Sequence, residues 1–312
     1  MPLHPISFSI CASKVVDAVP NKTQLLSTIV PGQPYAYTSE TAYYAEYRRS
    51  WFAITVSKMG WDCMRHYEIL SQGCIPLFLD LEQCPENTLT HFPKSLVQQG
   101  MHLYNTIVDT GASYQDPDVT HTLTTLVEEL LVHTRTYLTN ERMATWMLDR
   151  VLPAFSGPFL TTSVSVLFIS ACPHPDYLRC HLLTGLKRLM GSTCHDICRV
   201  DHLYEDYHDD NVSKCYGKGF SYTRTLPTSS RDDHRDDTVL DDIRHHAYDV
   251  IVYGSYHRDG GLGLPYWNEV HEAYAPSEVV LLCGEDRLTD ICTHDHHTWA
   301  DYGYHVFVRE LA

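Results

Sequence analysis

Positive charge is scarce in this chain. Its 312 residues include 23 Lys and Arg residues against 39 Asp and Glu residues, a formal net charge of −16 at pH 7. A surface that follows a nucleic-acid backbone must be basic in order to neutralise phosphates, so DNA and RNA are disfavoured as bulk partners. A neutral glycan or a small molecule fits this charge better.

Long apolar runs and a regular cysteine spacing are also missing. No run approaches the roughly 20 apolar residues that a membrane-spanning helix needs, and the N-terminus lacks the basic start and long apolar stretch of a secretory signal. The 11 cysteines are odd in number and scattered, which favours reduced, mostly buried thiols over a disulfide framework. We therefore expect a soluble, cytoplasmic protein without a membrane span, in an oligomeric state that the sequence leaves open.

The familiar motifs of metal and phosphate sites are absent as well. The Asp-rich and His-rich runs at residues 232–237 and 294–297 lack a known ligand spacing, so we expect no obligatory metal. The glycine-flanked lysine in residues 214–220 lacks the Gly-x-x-x-x-Gly-Lys-Ser/Thr order of a P-loop, and it predicts a turn. In the alternative interpretation, Lys218 or Arg224 contacts a phosphate.

What is present is α/β patterning in two halves. We place them at residues 1–160 and 161–312, separated by a stretch that contains Pro153, Gly157 and Pro158. Both halves alternate apolar, strand-like runs with helical patterns, which predicts parallel sheets. The fold class that we expect is α/β, with two Rossmann-like doubly wound domains that face a cleft.

The predicted elements have the following bounds. In the first half, strands are expected at residues 6–11, 35–38, 51–56 and 74–79, and helices at residues 39–49, 120–138 and 140–152. In the second half, strands are expected at residues 164–169, 249–253, 279–283 and 305–308, a helix at residues 177–189, and a long polar insertion at residues 204–242.

Polar side chains follow each of these strands of the second half. They are His174 and Asp176; Ser255, His257 and Arg258; Glu285 and Asp286; and Arg309 and Glu310. In open α/β sheets, ligands bind beyond the carboxyl ends of the strands. We therefore expect this set of side chains to line one edge of the cleft.

Residues 60–76 carry the most information about function. A predicted strand and a tight turn lead to Asp62, which is a good N-cap residue for a helix. Gly73 has the position of a residue that ends a helix, and an apolar run follows it. The segment therefore predicts a strand, a turn, a helix and a second strand in direct succession.

The start of this predicted helix suits an anion. We expect free N–H groups at residues 62–65, where the positive end of the helix dipole can hold a diphosphate. Lys58, Gly60 and Arg65 lie at the same place, and the two cations add mobile charge. Glu68 lies one turn beyond Arg65 on the same face, where its carboxylate can accept hydrogen bonds from ribose hydroxyls.

Residues 65–76, Arg-His-Tyr-Glu-Ile-Leu-Ser-Gln-Gly-Cys-Ile-Pro, resemble the donor-site signature of exostosin-like and related GT-B glycosyltransferases. The resemblance is specific over residues 60–76 and suggestive over residues 43–96. It implies a hexosyl- or pentosyltransferase whose UDP- or GDP-sugar donor binds at Lys58, Gly60, Asp62, Arg65 and Glu68. In most GT-B enzymes the donor domain is the C-terminal one, so the order of domains is permuted here.

Sugar transfer needs a hydroxyl acceptor and, if the anomeric centre inverts, a general base. Exostosin-like enzymes invert, so the resemblance implies such a base. The candidates are Asp176, His257 and Asp286, all beyond strand ends of the second half. A retaining reaction needs no base at that place, and the sequence does not choose between the two.

Several alternatives stay open. Arg65 and Glu68 can form an ordinary solvated pair on a structural βαβ unit. The chain can be a non-catalytic nucleotide-binding or assembly protein, or a glycosyltransferase that acts on a modified nucleic-acid base, although its acidic charge disfavours the last. A methyltransferase is disfavoured because residues 171–176 contain no glycine. Sugar, nucleotide, acceptor and stereochemistry are not determined by the sequence.

Overall fold

The chain folds into an α/β structure with two parallel sheets. The structure, a computed structural model, describes residues 3–33, 36–152, 164–171, 175–258, 263–286 and 290–311. The strands are β1 (Leu3–Pro5), β2 (Gln24–Leu26), β3 (Ser50–Thr55), β4 (Ile75–Phe78), β5 (Val166–Ile169), β6 (Cys194–Ile197), β7 (Val250–Tyr253), β8 (Val279–Cys283) and β9 (His305–Val308). The α-helices are α1 (Glu40–Arg48), α2 (Met64–Ser71), α3 (Lys94–Thr110), α4 (Pro117–Tyr137), α5 (Asn140–Val151), α6 (Tyr177–Met190), α7 (Asp209–Val212), α8 (Asp233–Asp236), α9 (Val239–Arg244), α10 (Trp267–Ala273) and α11 (Asp290–Asp301).

The larger sheet has six parallel strands in the order β1-β9-β8-β7-β5-β6, and the smaller has three in the order β2-β3-β4. If β5 to β9 are numbered 1 to 5 in chain order, they follow the 2-1-3-4-5 order of a doubly wound sheet. The chain adds strands on one side of β5 and then on the other, so the switch point lies between β5 and β7, which are parallel. The α/β class with parallel sheets is confirmed. Strand β1 comes from the start of the chain yet pairs with β9. The boundary predicted at residue 160 lies outside the described residues.

Both faces of the larger sheet are buried. Val166 and Phe168 face a core that also includes side chains of α5, α6 and the smaller sheet, whereas Leu167 and Ile169 face a second core with α9 and α10. Burial on both faces explains why these strands read as continuous apolar runs. Each buried Val, Leu or Phe side chain stabilises the fold by about 1.5–3 kcal/mol. The first core runs without a break between the two halves of the chain.

The halves also meet where α5 packs on α6. Gly185 lies at this contact, and a Cβ atom there would overlap the carbonyl group of Asn140 and lie 3.1 Å from the Ala144 side chain. The close approach of the two helices therefore depends on the absence of a side chain at Gly185.

Two predicted strands of the first half are wrong in position. Instead of a strand at residues 6–11, the chain forms a strand at Leu3–Pro5, and beyond it the backbone N–H of Phe8 donates to Asp62. Residues 36–38, the described part of the strand predicted at residues 35–38, form no strand, and Gln24–Leu26 forms the edge of the smaller sheet. Helix α3 is also missing from the prediction. Residues 94–110 have few turn signals, and their helical pattern directly follows a loop that contains Pro85 and Pro93.

Strand β6 escapes prediction for a physical reason. It is fully buried, yet it contains His195 and Asp196, so it is not an apolar run. His195 bonds to the carboxylate of Asp236 at 2.9 Å, and Asp196 pairs with the buried ammonium of Lys187 at 2.6 Å. These distant partners permit polar residues in the strand, and only the folded chain shows them.

The polar insertion at residues 204–242 has more structure than its composition indicates. It includes α7 and α8, and it contributes the fully buried side chains of Tyr204, Tyr222 and Leu226. The backbone N–H of Ser221 donates a hydrogen bond to Glu40 at the start of α1. The insertion thus lies against the first half of the chain. Among the described residues, no helix has the length and apolar character that crossing a bilayer requires.

Candidate functional site

Helix α2 lies within residues 60–76, the segment of the sequence that carries the most information about function. It begins at Met64 with Cys63 as its N-cap residue, and it ends before Gly73. Gly73 has a φ of 62°, in the left-handed region that glycine adopts at little cost. The prediction of a helix closed by this glycine is confirmed.

Asp62 is a buried link between elements, and the prediction that it caps α2 is wrong. Its carboxylate accepts hydrogen bonds from the backbone N–H of Phe8 and from the hydroxyl of Tyr67, both at 2.7 Å. Burial raises the pKa of Asp62 to about 7, against the opposing charge of Arg309. The side chain is therefore committed to joining the N-terminal segment to the loop before α2.

Two backbone N–H groups of the loop before α2 are already bound to a carboxylate of this chain. Glu310 accepts hydrogen bonds from the backbone N–H groups of Trp61 at 3.0 Å and Asp62 at 2.9 Å. Gly60 makes room for this contact, because a Cβ atom there would overlap the Glu310 carboxylate and lie 2.6 Å from the carbonyl oxygen of Asp286. The expectation of a free amide at residue 62 is therefore wrong.

Arg309 lies fully buried beside this contact and holds it together. Its guanidinium donates to the carbonyl oxygens of Gly284 at 3.2 Å and Glu285 at 2.9 Å, and it pairs with the carboxylates of Asp286 and Glu310. Burial alone would lower the pKa of Arg309, but the surrounding carboxylates outweigh it and raise that pKa. A buried charge needs such partners. The cluster connects the end of β9 to the loop before α2.

Glu68 is buried on α2, where two hydroxyl groups hold its carboxylate. Tyr43 donates to Oε2 at 2.9 Å, and Ser221 donates to Oε1. Burial raises the pKa of Glu68, whereas these hydrogen bonds and the charge of Arg65 oppose the rise. A carboxylate offers about four acceptor positions, so two hydroxyl donors leave capacity for a ligand.

Lys58 and Arg65 bring positive charge to the same wall. The Lys58 ammonium donates to the hydroxyl of Tyr216 at 3.2 Å and lies 5.8 Å from the centre of its ring. Arg65 is half-buried, and its positive charge acts to lower the pKa of Glu68. Tyr216 as a residue is 62% exposed, so a planar ligand group can stack on its ring beside the ammonium.

Asp176 stands on the opposite wall and has several partners. Its carboxylate caps α6 through the backbone N–H of Arg179 at 3.2 Å, and it accepts a hydrogen bond from Ser255 at 3.1 Å. His257 and Arg258 approach it to 4.0 and 3.7 Å. Burial would raise the pKa of Asp176, but the charges of Arg179, His257 and Arg258 lower it. Asp176 is therefore ionised and a weak base.

His257 lies behind the wall of the cleft. Its side chain is 2% exposed, its Nε2 accepts a hydrogen bond from Arg258 Nε at 3.0 Å, and Glu285 lies 3.4 Å away. Burial lowers the pKa of His257, against the charges of Asp176 and Glu285. The side chain thus has the geometry of a group that orients Arg258 rather than one that contacts a ligand.

Asp286 differs from the other two candidate bases because it faces the cleft with an exposed side chain. Its exposed fraction is 53%, and Arg309 holds Oδ1 in place. A base must lie within hydrogen-bond reach of the proton that it takes. Of the three candidates, Asp286 meets this requirement best.

These residues line a cleft of about 410 Å³. One wall includes Lys58, Gly60, Asp62, Arg65 and Glu68; the other includes Asp176, Arg258, Gly284 and Asp286; Phe8, Tyr177 and Tyr216 add aromatic surface. The structure thus brings together all five candidate donor-site residues and two of the three candidate bases. Within the described ranges, no cluster of three or more His, Cys, Asp or Glu side chains could hold a metal ion. His174 lies outside the described residues.

Two groups of the site lie far from residues 60–76 in sequence. Tyr43 precedes Glu68 by 25 residues, and Ser221 follows it by 153 residues. Tyr43 leaves a weak signal, because tyrosines at residues 43, 44 and 47 lie on a predicted helix. Ser221 leaves none, since it lies in the predicted polar insertion, just beyond the predicted turn at residues 214–220.

Comparison of the chain with protein-family models, with curated proteins and with solved structures finds no match in any of the three. The resemblance to exostosin-like glycosyltransferases therefore stays a prediction, carried by residues 60–76.

Proposed function

We propose that the protein is a glycosyltransferase that moves a sugar from a UDP- or GDP-sugar to a hydroxyl group of a glycan or small molecule. The observation that carries this proposal is the placement of Lys58, Arg65 and Glu68 across one cleft from Asp286. The two walls would correspond to the donor and acceptor sides of a GT-B enzyme whose domain order is permuted. The nine described cysteines form no disulfide with one another, which fits the reducing cytoplasm that we propose as its location.

The diphosphate of the donor would lie against side-chain cations. The amides of residues 61 and 62 already bind Glu310, so they cannot take a phosphate without displacing it. Lys58, Arg65 and Arg258 line the cleft instead. Their charges would stabilise the negative charge that grows on the departing diphosphate, which is the main electrostatic demand of the transfer.

The nucleoside would bind near Glu68 and Tyr216. The Glu68 carboxylate would accept hydrogen bonds from the ribose hydroxyls, and the exposed Tyr216 ring offers a stacking surface for the base. Held at the nucleoside and at the diphosphate, the donor would keep its sugar at the centre of the cleft, between the two walls.

The acceptor hydroxyl would approach from the side of Asp286. In an inverting displacement, the acceptor oxygen forms a bond to the anomeric carbon while the bond from that carbon to the diphosphate oxygen breaks. The nucleoside diphosphate leaves with the electron pair, and Asp286 takes the hydroxyl proton. Asp176 and His257 would hold Arg258 in position rather than contact the acceptor.

A panel of sugar nucleotides tests the proposal, first by thermal stabilisation and then by donor hydrolysis. Arg65→Ala should weaken binding of the stabilising donor by about 10- to 100-fold, the worth of a charge-assisted hydrogen bond of ~1.5–3 kcal/mol. Glu68→Gln should weaken binding of the nucleotide but not of inorganic pyrophosphate, because Glu68 is assigned to the ribose. Arg142→Ala, at an exposed position of α5, is the matched control and should bind like the parent protein.

Asp286→Asn separates binding from chemistry. It should keep donor affinity while hydrolysis or transfer falls by about 10²- to 10⁴-fold. Donor binding without turnover in the parent protein would favour the alternative of a non-catalytic nucleotide-binding protein. A glycosylated modified base as product would identify the nucleic-acid alternative. Absence of stabilisation by any sugar nucleotide would refute the proposed function.

A further inference from the structure

A second cavity, of about 660 Å³, lies where the polar insertion meets the N-terminal segment and α1. Its lining is drawn from residues 11–14, 38–40 and 209–225, together with Arg188 of α6. We call it the insertion pocket. It shares no lining residue with the cleft, although Ser221 touches the edge of both: its N–H bonds to Glu40 and its hydroxyl to Glu68.

Positive charge is concentrated in this pocket. Its lining includes four cations, which are Lys14, Arg188, Lys218 and Arg224. Three of them have carboxylate partners: Glu40 lies 2.5 Å from Lys14, Asp209 lies 2.6 Å from Arg224, and Glu141, just outside the lining, lies 3.3 Å from Arg188. Lys218 has no carboxylate partner among the described residues, so the pocket keeps one surplus positive charge in a chain whose formal charge is −16. Such a local reversal of charge attracts anions into a concave site.

Backbone hydrogen bonds hold two of these cations in place. Lys218 donates to the carbonyl oxygen of Tyr37 at 2.8 Å, and Arg224 donates to that of Tyr207 at 2.7 Å. Both cations belong to residues with left-handed backbone, with φ of 57° and 54°. Seven non-glycine residues of the described chain have positive φ, and three of them fall within residues 218–224. Strain concentrated in this way is typical of ligand-binding segments.

The buried His181 lies within the electrostatic influence of two of these cations, Lys14 and Arg188. Neither of its ring nitrogens has a hydrogen-bond partner within the described part of the chain, and the side chain is buried. Burial lowers the pKa of His181 to about 3, and the charges of Lys14 and Arg188 add to the effect. Burial and these two cations together therefore keep the His181 ring uncharged.

We propose that the insertion pocket binds a small phosphorylated organic molecule. Its volume is within the range of about 300–1,000 Å³ typical of small-molecule sites. Arginine and lysine side chains supply phosphate-binding donors, and hydroxyl groups of Ser13, Ser39, Ser213 and Thr223 supply further polar contacts. Phe220 and Val212 add apolar surface for the organic part. The site is independent of the proposed glycosyltransferase activity.

Calorimetry with inorganic pyrophosphate at low ionic strength tests this proposal. The titration uses the Arg65→Ala variant, in which the phosphate position of the cleft is impaired, and compares it with Arg65→Ala combined with Lys218→Asn. Asparagine tolerates left-handed backbone, so this substitution removes the charge with little strain. We expect the Arg65→Ala variant to bind pyrophosphate, and the added Lys218→Asn change to weaken binding at least about tenfold.

A second substitution keeps the test decisive if Lys218→Asn impairs folding. Arg188→Gln removes another cation of the pocket from a different element, and it should weaken pyrophosphate by a similar factor. Far-ultraviolet circular dichroism checks that each variant is folded. No pyrophosphate binding to the Arg65→Ala variant, or equal binding with and without the insertion-pocket substitutions, would overturn the proposal. Neither result bears on sugar-nucleotide binding in the cleft.

Discussion

The substitution Asp62→Asn tests whether burial keeps the carboxyl group of Asp62 protonated in the folded protein. Asparagine has the same shape. Its carbonyl oxygen can accept the Phe8 N–H, and its amide can donate to the Tyr67 hydroxyl, which reverses its role. The substitution therefore removes the ionisation of Asp62 while it keeps both hydrogen bonds.

The magnitude follows from linkage. Burial raises the pKa of Asp62 from 3.8 to about 7, so between these pH values the folded protein binds a proton that the unfolded chain has lost. The free energy of unfolding must then fall as pH rises, by up to about 1.4 kcal/mol per pH unit. From pH 5 to pH 8 the parent protein should lose about 2–3 kcal/mol that Asp62→Asn does not lose.

Urea unfolding followed by tryptophan fluorescence measures this difference at pH 5 and pH 8. Other groups titrate in both proteins, so their contributions cancel when the two pH dependences are subtracted. The variant should gain stability relative to the parent protein as pH rises. Parallel pH dependences, or a variant that loses relative stability towards pH 8, would refute the account of Asp62 as a group that burial keeps protonated.

Three further substitutions test the packing and charge around the site. Gly60→Ala should destabilise the protein by about 1–3 kcal/mol, because its Cβ atom would overlap the Glu310 carboxylate. Gly185→Ala should cost a similar amount, about 1–3 kcal/mol, because its Cβ atom would overlap the Asn140 carbonyl between α5 and α6. Hydrogen bonds from Thr28 and Gln24 lower the pKa of Glu46 to about 2 despite burial, so Glu46 should stabilise the fold above pH 4.5, with this stability lost towards pH 2.

Each of these three has a matched comparison. Gly111→Ala introduces backbone strain without overlap, because a Cβ atom there meets nothing within 4 Å, and it should cost less than either other glycine substitution. Equal thermal shifts at all three glycines would contradict the overlap argument. For Glu46, urea titrations of Glu46→Gln and the parent protein should converge as pH falls from 4.5 to 2; a constant gap would contradict the assigned pKa.

Much of the site could be predicted because its signals are local or follow from strand direction. Helix α2 and its closing glycine follow from periodicity and turn chemistry within residues 60–76. Asp176, Arg258 and Asp286 share one cleft wall because carboxyl ends of parallel strands meet at one sheet edge. Neither inference needs a contact between distant parts of the chain.

The errors have a common cause. Asp62 is a residue type that often caps helices, but its carboxylate bonds to Phe8 and Tyr67 instead, and the helix begins one residue later than predicted, with Cys63 as its N-cap. The amides of residues 61 and 62 suit an anion, as expected, but that anion is Glu310 of this chain. In both places a distant group satisfies a local preference.

By itself, the sequence determined the α/β class, the strands β3 to β5 and β7 to β9, and the helices α1, α2 and α4 to α6, because hydrophobic period and turn chemistry are properties of short segments. Only the tertiary structure decided that β1 joins the sheet of the second half, that Ser221 reaches Glu68, and that the insertion encloses a second, basic pocket. Each of these depends on contacts between residues far apart along the chain. Such contacts form when packing and buried polar partners are satisfied together, which no local pattern encodes.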